Sequence, residues 1–394
     1  MNAPDFPESV VLVAVQFERG RSNPRYKRKT PMKRINLRFL FAFSAVAILC
    51  SSMSGTLRAA GGDPAEAVVA TPIKLDRLDA TIDRIVPADA KLERVATGFT
   101  WTEGPLWIDG KLFFAEIPSN SIRTWTPGKG TAIFLQPSGY KGTAPYGGPE
   151  SGSNGTTADA HGRLTAAGHA QRDVYRLETL DAKAQQTVLA DSYKGKKLNS
   201  PNDVVYKSDG SLYFTDPPYG LRTQSDKDPE KELTVNGVYR IPHALTQKPG
   251  AEPARDQLQL LISDLSRPNG IAFSPDEKYL YVDNSQPKKF WMRYAVKPDG
   301  TVGDPKLLLD VTSDNRPGLP DGMKVDVEGN IYSAGPGGIW IISPEGKALG
   351  TIVVPGRTSN VAWAGPDRKT LYITGSEGIF RVHLKIAGEP LVKK

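Results

Sequence analysis

Six oxygen-bearing side chains stand at the same point of a recurring pattern: Glu103, Asn154, Asn202, Asn269, Asp321 and Asn360. Two are carboxylates and four are amides. Carboxylate and carbonyl oxygens without sulfur or paired imidazoles suit a hard divalent cation, Ca²⁺ first and Mg²⁺ or Mn²⁺ next; Zn²⁺ is compatible, but this donor set does not select it. Asn-Gly and Asp-Gly pairs are also ordinary turn chemistry, because glycine accepts positive φ and Asn or Asp tolerates it. The recurrence weighs against that reading. Each repeat already has a turn signal at its other end, as at Asp109-Gly110, His161-Gly162, Asp209-Gly210 and Glu328-Gly329.

The elements that must position these residues follow from the pattern. Asn202-Asp203 opens Val204-Val205-Tyr206, a turn at Ser208-Asp209-Gly210, and then Leu212-Tyr213-Phe214-Thr215. This is strand, hairpin, strand. Glu103 opens Leu106-Trp107-Ile108, Asn269 opens Ile271-Ala272-Phe273, Asp321 opens Met323-Lys324-Val325, and Asn360 opens Val361-Ala362-Trp363. The copies lie roughly 40 to 70 residues apart, a propeller-blade period. The expected fold is therefore all-β: a six-bladed β-propeller with a central metal site, preceded by a signal peptide. A radial array brings the start of every blade to one axis. Leu92–Ala96 reads as a strand that completes the last blade and closes the ring. Two long insertions, Ser138–Ser153 and Leu221–Asn236, are placed to shape the channel mouth or to be plain surface loops.

The chain has 394 residues and a net charge of +7. Residues 1–60 hold 10 Lys and Arg against 3 Asp and Glu, which leaves 40 of each sign in the rest. The body is near neutral, and nothing marks it as a nucleic-acid binder. Lys33 and Arg34, the apolar run Phe39–Leu49 and the small residues up to Ala60 form a secretory signal pattern, with Met32 as its natural start. The run is shorter than the ~18–20 residues of a membrane span. The single cysteine, Cys50, falls inside this leader, so the mature chain has no disulfide framework. The expected divisions are 1–60 as N-terminal extension and signal peptide, 61–91 as a lead-in, and 92–394 as the propeller. The expected localisation is exported, periplasmic or secreted, with no stable membrane span after cleavage. Oligomeric state is not written in the sequence.

The ordered set Glu103-Gly104-Pro105-Leu106-Trp107, Ser153-Asn154-Gly155, Gly168-His169, Pro201-Asn202-Asp203-Val204, Phe214–Gly220, Pro268-Asn269-Gly270 and Pro320-Asp321-Gly322 resembles the gluconolactonase family that includes regucalcin (senescence marker protein). The family consists of six-bladed, metal-dependent lactone hydrolases. The resemblance implies that Glu103, Asn269 and Asp321 are metal ligands. It implies that Asn202 completes the metal shell or contacts substrate, that Asp321 also serves as the catalytic base or assists the nucleophile, and that His169 lies near the substrate. Ala166-Ala167-Gly168-His169 departs from the more polar run usual before that histidine. Asn154, His169, Asn202 and Tyr219 are candidate partners for the hydroxyls of a sugar lactone, and Trp107 and Tyr219 could stack on a sugar face or pack between blades.

The expected reaction is metal-dependent hydrolysis of a sugar lactone to the aldonic acid, with a small-molecule lactone as the partner. Two alternatives stand beside it. One is a divalent-metal hydrolase of another lactone or a phosphotriester; the other is a non-catalytic binding platform. A serine hydrolase is disfavoured, because no Gly-x-Ser-x-Gly elbow is present.

Overall fold

The computed structural model describes residues 68–253 and 255–391. The expected leader, with Met32 and Cys50, lies outside the described residues. Six antiparallel sheets stand around one axis, four of them with four strands and two with five. Blade 1 runs from Thr102–Ile108 to Gly130–Leu135, blade 2 from Thr156–Ala158 to Gln186–Ala190, and blade 3 from Val204–Tyr206 to Gln259–Ile262. Blade 4 runs from Pro268–Phe273 to Val302–Asp310, and blade 5 from Met323–Val325 to Ala348–Val353. Blade 6 is built from Thr358–Ala364, Thr370–Gly375 and Ile379–His383, and its fourth strand is Lys91–Ala96. That strand pairs with Ile379–His383, so the start of the propeller closes its end. Closure removes the open edge that an incomplete ring would leave.

The first hairpin illustrates the local code. Asp109 (φ 52°) and Gly110 (φ 70°) both have positive φ, the two-residue turn whose twist matches paired strands. The strands on either side, Thr102–Ile108 and Lys111–Glu116, then pair antiparallel, with a register shift between Glu103 and Leu106.

Aromatic side chains fill the seams between blades. Tyr213 meets Phe273 edge-on at 4.9 Å between blades 3 and 4, and Trp291 meets Trp340 at 5.9 Å between blades 4 and 5. Tyr332 meets Trp363 at 4.8 Å between blades 5 and 6, and Tyr372 stacks on Trp107 at 5.5 Å between blades 6 and 1. Large rings suit these seams because they bury the most apolar area per residue.

The lead-in is more ordered than its composition implies. Val69–Pro72 adds a fifth strand to blade 6, and Lys74–Arg77 adds a fifth to blade 5. A 3₁₀ turn, Ala80–Arg84, follows, capped by the Asp79 carboxylate on the Thr81 N–H at 2.9 Å. Ile82, Ile85 and Val86 are buried with Tyr332, Ile341 and Ile352. The segment thus straps blade 5 to blade 6, the blade that holds the closing strand. No helix among the described residues is long and apolar enough to cross a membrane.

Candidate active site

The six blade-opening residues form a closed ring. The Gly155 N–H donates to the Asn202 carbonyl at 2.7 Å, which joins blades 2 and 3. Thr156 Oγ1 donates to the Gly104 carbonyl at 2.6 Å, and Thr215 Oγ1 donates to the Asn269 carbonyl at 2.7 Å. Asn360 Nδ2 donates to Glu103 Oε2 at 3.1 Å and links the last blade to the first. Glu103, Asn154, Asn202, Asn269 and Asn360 are all buried, whereas Asp321 is partly open to solvent.

The glycines that follow these residues explain how the ring closes so tightly. Only Gly104 has positive φ; Gly155, Gly270 and Gly322 do not. They are small because the neighbouring blade is against them. A Cβ on Gly270 would lie 2.3 Å from the Asp321 carbonyl oxygen, and one on Gly322 would lie 1.9 Å from Asn360 Cγ. Asn-Gly here is close approach rather than turn chemistry.

Two carboxylates join the ring that its spacing did not reveal as a pair. Asp203, beside Asn202, and Asp283, on the second strand of blade 4, are both buried to about 1% exposure or less. Burial pushes all four carboxyls, Glu103, Asp203, Asp283 and Asp321, above the usual carboxylate range. Mutual repulsion adds to this: Asp203 acts on Glu103, while Glu103 and then Asp283 act on Asp321. The opposing positive charge comes from Lys324, which favours the charged forms of Glu103 and Asp203. Lys324 Nζ donates to the Met323 carbonyl at 3.0 Å and reaches Asn360 Oδ1 at 3.4 Å.

Several oxygens in this region have no partner. Asn154 Oδ1, Asn269 Oδ1, Asp203 Oδ2 and both oxygens of Asp283 are buried without a hydrogen bond. Such atoms are costly unless something satisfies them. Among the described residues no three His, Cys, Asp or Glu side chains gather so as to hold a metal ion by themselves. Any ion here would need the amide oxygens as well. The chemistry of the donors, anionic and neutral oxygens with unfilled lone pairs, fits a hard cation.

The remaining candidates lie around the mouth. Tyr219 is half-buried; its hydroxyl is 2.6 Å from Ser285 Oγ and accepts from Gln286 Nε2 at 3.0 Å. Burial first, and among charges that of Asp321, push the phenol up to about 12, which sets Tyr219 within electrostatic reach of Asp321. His169 is fully buried in a 3₁₀ turn, His169–Gln171. Its Nδ1 lies 3.0 Å from the Pro201 carbonyl and its Nε2 lies 2.8 Å from Glu150 Oε2. A direct bond from His169 to a substrate would require one of these contacts to be given up. Trp107 is in the seam with Tyr372, away from the opening residues.

The far end of the channel is different. A cavity of about 270 Å³ lies between the hairpin ends of the same strands, walled by Trp107, Phe273, Val325, Trp363 and Leu391. It shares Lys324 with the acidic end, but its walls are largely apolar.

Comparison with known proteins bears on what this arrangement does. Residues 101–377 match the family described as SMP-30/Gluconolactonase/LRE-like region. The chain is 36% identical over 325 residues to a gluconolactonase of Zymomonas mobilis, covering 80% of this chain and 87% of that protein. A gluconolactonase structure from Xanthomonas campestris matches with a TM-score of 0.66 at 29% identity, over 82% of this chain and 98% of that one. Regucalcin from Agrobacterium tumefaciens, a calcium-binding protein, shares the fold at a TM-score of 0.58 and 19% identity, over 82% and 98% of the two chains.

Proposed function

Because this chain belongs to the SMP-30/gluconolactonase/LRE-like family and is a lactone hydrolase, we propose that it opens a sugar lactone of the glucono type to the aldonic acid, with a divalent cation held at the channel axis. The observation that carries the metal dependence is the set of buried, unpartnered oxygens at Asn269, Asp203 and Asp283, beside carboxyls pushed toward protonation. A cation would satisfy the Asn269 oxygen directly and offset the crowded negative charge of the neighbouring carboxyls. Glu103, Asn202, Asn269 and Asp321 would hold it, with Ca²⁺ the first choice for an all-oxygen set and Mg²⁺, Mn²⁺ or Zn²⁺ the alternatives.

When bound, the cation supplies polarisation of the lactone carbonyl and offsets charge on the oxyanion. The chain's own residues do the rest. Asp321 is the one opening residue that is partly open to solvent, which places its carboxylate where it can take a proton from the attacking water. Water oxygen bonds to the carbonyl carbon, the ring C–O bond breaks, and the ring oxygen leaves with a proton as the new hydroxyl. Asn154, Asn202 and Tyr219 offer hydrogen bonds to the sugar hydroxyls, and His169 acts through its neighbours. The leader at 1–60 makes this an exported enzyme; N-terminal sequencing of the protein from a periplasmic fraction would check that.

The test is hydrolysis of glucono-1,5-lactone, followed by acid release. Wild type is expected to exceed the spontaneous rate, and Asp321→Ala to lose roughly 10²–10⁴-fold in kcat, the usual worth of a general base. Wild-type turnover of other lactones or phosphotriesters alone would move the substrate class. Full activity in Asp321→Ala would remove that residue from the chemistry.

A further inference from the structure

The two long insertions meet over one side of the channel mouth. The Tyr146 hydroxyl donates to the Gly220 carbonyl, and the Arg222 guanidinium lies 5.6 Å over the Tyr146 ring. A Cβ on Gly148 would lie 2.8 Å from Arg222 Cα, so the two backbones are in contact there. At the inner edge of this contact stands Glu150, and both its oxygens are used. Oε1 accepts from Gln224 Nε2 at 2.9 Å, and the same amide donates to the Tyr219 carbonyl at 3.1 Å. Oε2 is 2.8 Å from His169 Nε2, and His169 Nδ1 is 3.0 Å from the Pro201 carbonyl.

The hydrogens of this chain of contacts are fixed by chemistry. A carbonyl oxygen only accepts, so Nδ1 carries its hydrogen. One further proton must then lie between Nε2 and Oε2, as a charge-assisted bond or its neutral equivalent. His169 cannot drift, because Gly220 is packed on it: a Cβ there would lie 2.7 Å from His169 Cγ and Cδ2. The two ends of the chain are the peptide carbonyl just before Asn202 and the carbonyl of Tyr219 itself.

We propose that Glu150 is a positioning residue of the active site: through His169 and Gln224 it fixes the backbone at Pro201 and Tyr219, and so aims Asn202 and Tyr219 over the channel mouth. The functional half of this statement rests on the lactonase reading above. The insertions are then the walls that set sugar-hydroxyl recognition, and Glu150 is the strut that couples them to the ring.

The proposal makes a hydrogen-bonding demand and no demand for charge. Glu150→Gln keeps both bonds, since its amide oxygen accepts from Gln224 and its NH₂ donates to neutral His169. Glu150→Ala keeps neither. In Glu150→Ala, kcat/KM for glucono-1,5-lactone should fall about 10-fold, while Glu150→Gln should stay near wild type. In an Asn202→Ala background, Glu150→Ala should add much less than it does alone, as expected of residues acting through each other. Gln224→Ala, which cuts only one arm, should give a smaller effect of the same kind and serves if Glu150→Ala folds poorly. A readout that needs neither substrate nor metal is the side-chain amide NMR signal of Asn202 in protein labelled with ¹⁵N-asparagine, assigned by Asn202→Ala. It should shift or broaden in Glu150→Ala and hold its place in Glu150→Gln. An unmoved Asn202 signal in Glu150→Ala would overturn the proposal, as would a loss in Glu150→Gln equal to that in Glu150→Ala, or full additivity with Asn202→Ala. A wild type without lactonase activity would instead refute the functional reading, and the amide signal would still decide the strut.

Discussion

The same six inner strands build both ends of the channel, and the two ends are chemical opposites. At the opening end, three buried carboxyls, a fourth that is partly open to solvent and a set of amides crowd together, with unpartnered oxygens and raised proton affinities. At the hairpin end, Trp107, Phe273 and Trp363 wall a cavity of about 270 Å³. The first is poor as a stabilising arrangement and useful as a site. Like charges brought out of water oppose folding unless something binds them. The second does what cores do. The contrast teaches that stability and chemistry are divided along the length of each strand, so mutations at the two ends should carry opposite signatures.

Glu103→Gln at the opening end should break function most. It removes one of the two carboxylates proposed as ligands, and we expect metal affinity to fall at least ~100-fold, with turnover falling alongside. Calorimetric titration of the purified variant checks this. Its metal-free melting temperature should stay level or rise, because a buried carboxyl held above its usual range has been replaced by a neutral isostere.

Trp363→Ala at the hairpin end should do the reverse. The ring packs edge-on against Tyr332 at 4.8 Å, and its Nε1 donates to the Val325 carbonyl at 2.8 Å. Its loss should cost about 3 kcal/mol in denaturant unfolding, at the low end for a large aromatic because it is partly exposed. kcat/KM should remain within about 2-fold of wild type. A Trp363→Ala enzyme of normal stability and poor turnover would invert the comparison.

A smaller effect tests the same rule away from the axis. Asp173, on blade 2, is buried, has Oδ1 unpartnered, and burial pushes its carboxyl up to about 7. Its folded pKa lies above its unfolded one, so its contribution to stability is fully present below about 4 and is lost as pH rises toward 7. Asp173→Asn should therefore gain melting temperature relative to wild type at pH 8, by a few degrees, and show no gain at pH 4. A gain independent of pH would assign the effect to packing.

Much of the fold is legible in the sequence because a propeller repeats its grammar. The opening residues, the inner strands and the closing strand at Leu92–Ala96 can be placed from period and turn chemistry alone. The outer strands of the lead-in cannot. Val69–Pro72 is exposed along its whole length, so it has no alternation to betray it; it is a strand only because blade 6 presents an edge. The acidic ring shows the same limit. Asp203 is visible beside Asn202, but Asp283 lies within Tyr279–Asn284, a second strand, and reaches the axis only through tertiary packing. His169 reads as a candidate contact from its motif, yet its two nitrogens are committed to groups that are 19 and 32 residues away. Glu150 has no local signal at all; its role arises where two loops meet.

The proposed reaction depends on one cation at the opening end of the channel. Its most direct test is to strip the mature protein with a chelator, confirm by elemental analysis that it is metal-free, and titrate Ca²⁺ back while following glucono-1,5-lactone hydrolysis. Turnover should vanish on stripping and return with one equivalent of metal per chain. Undiminished turnover in protein shown to be metal-free would contradict it.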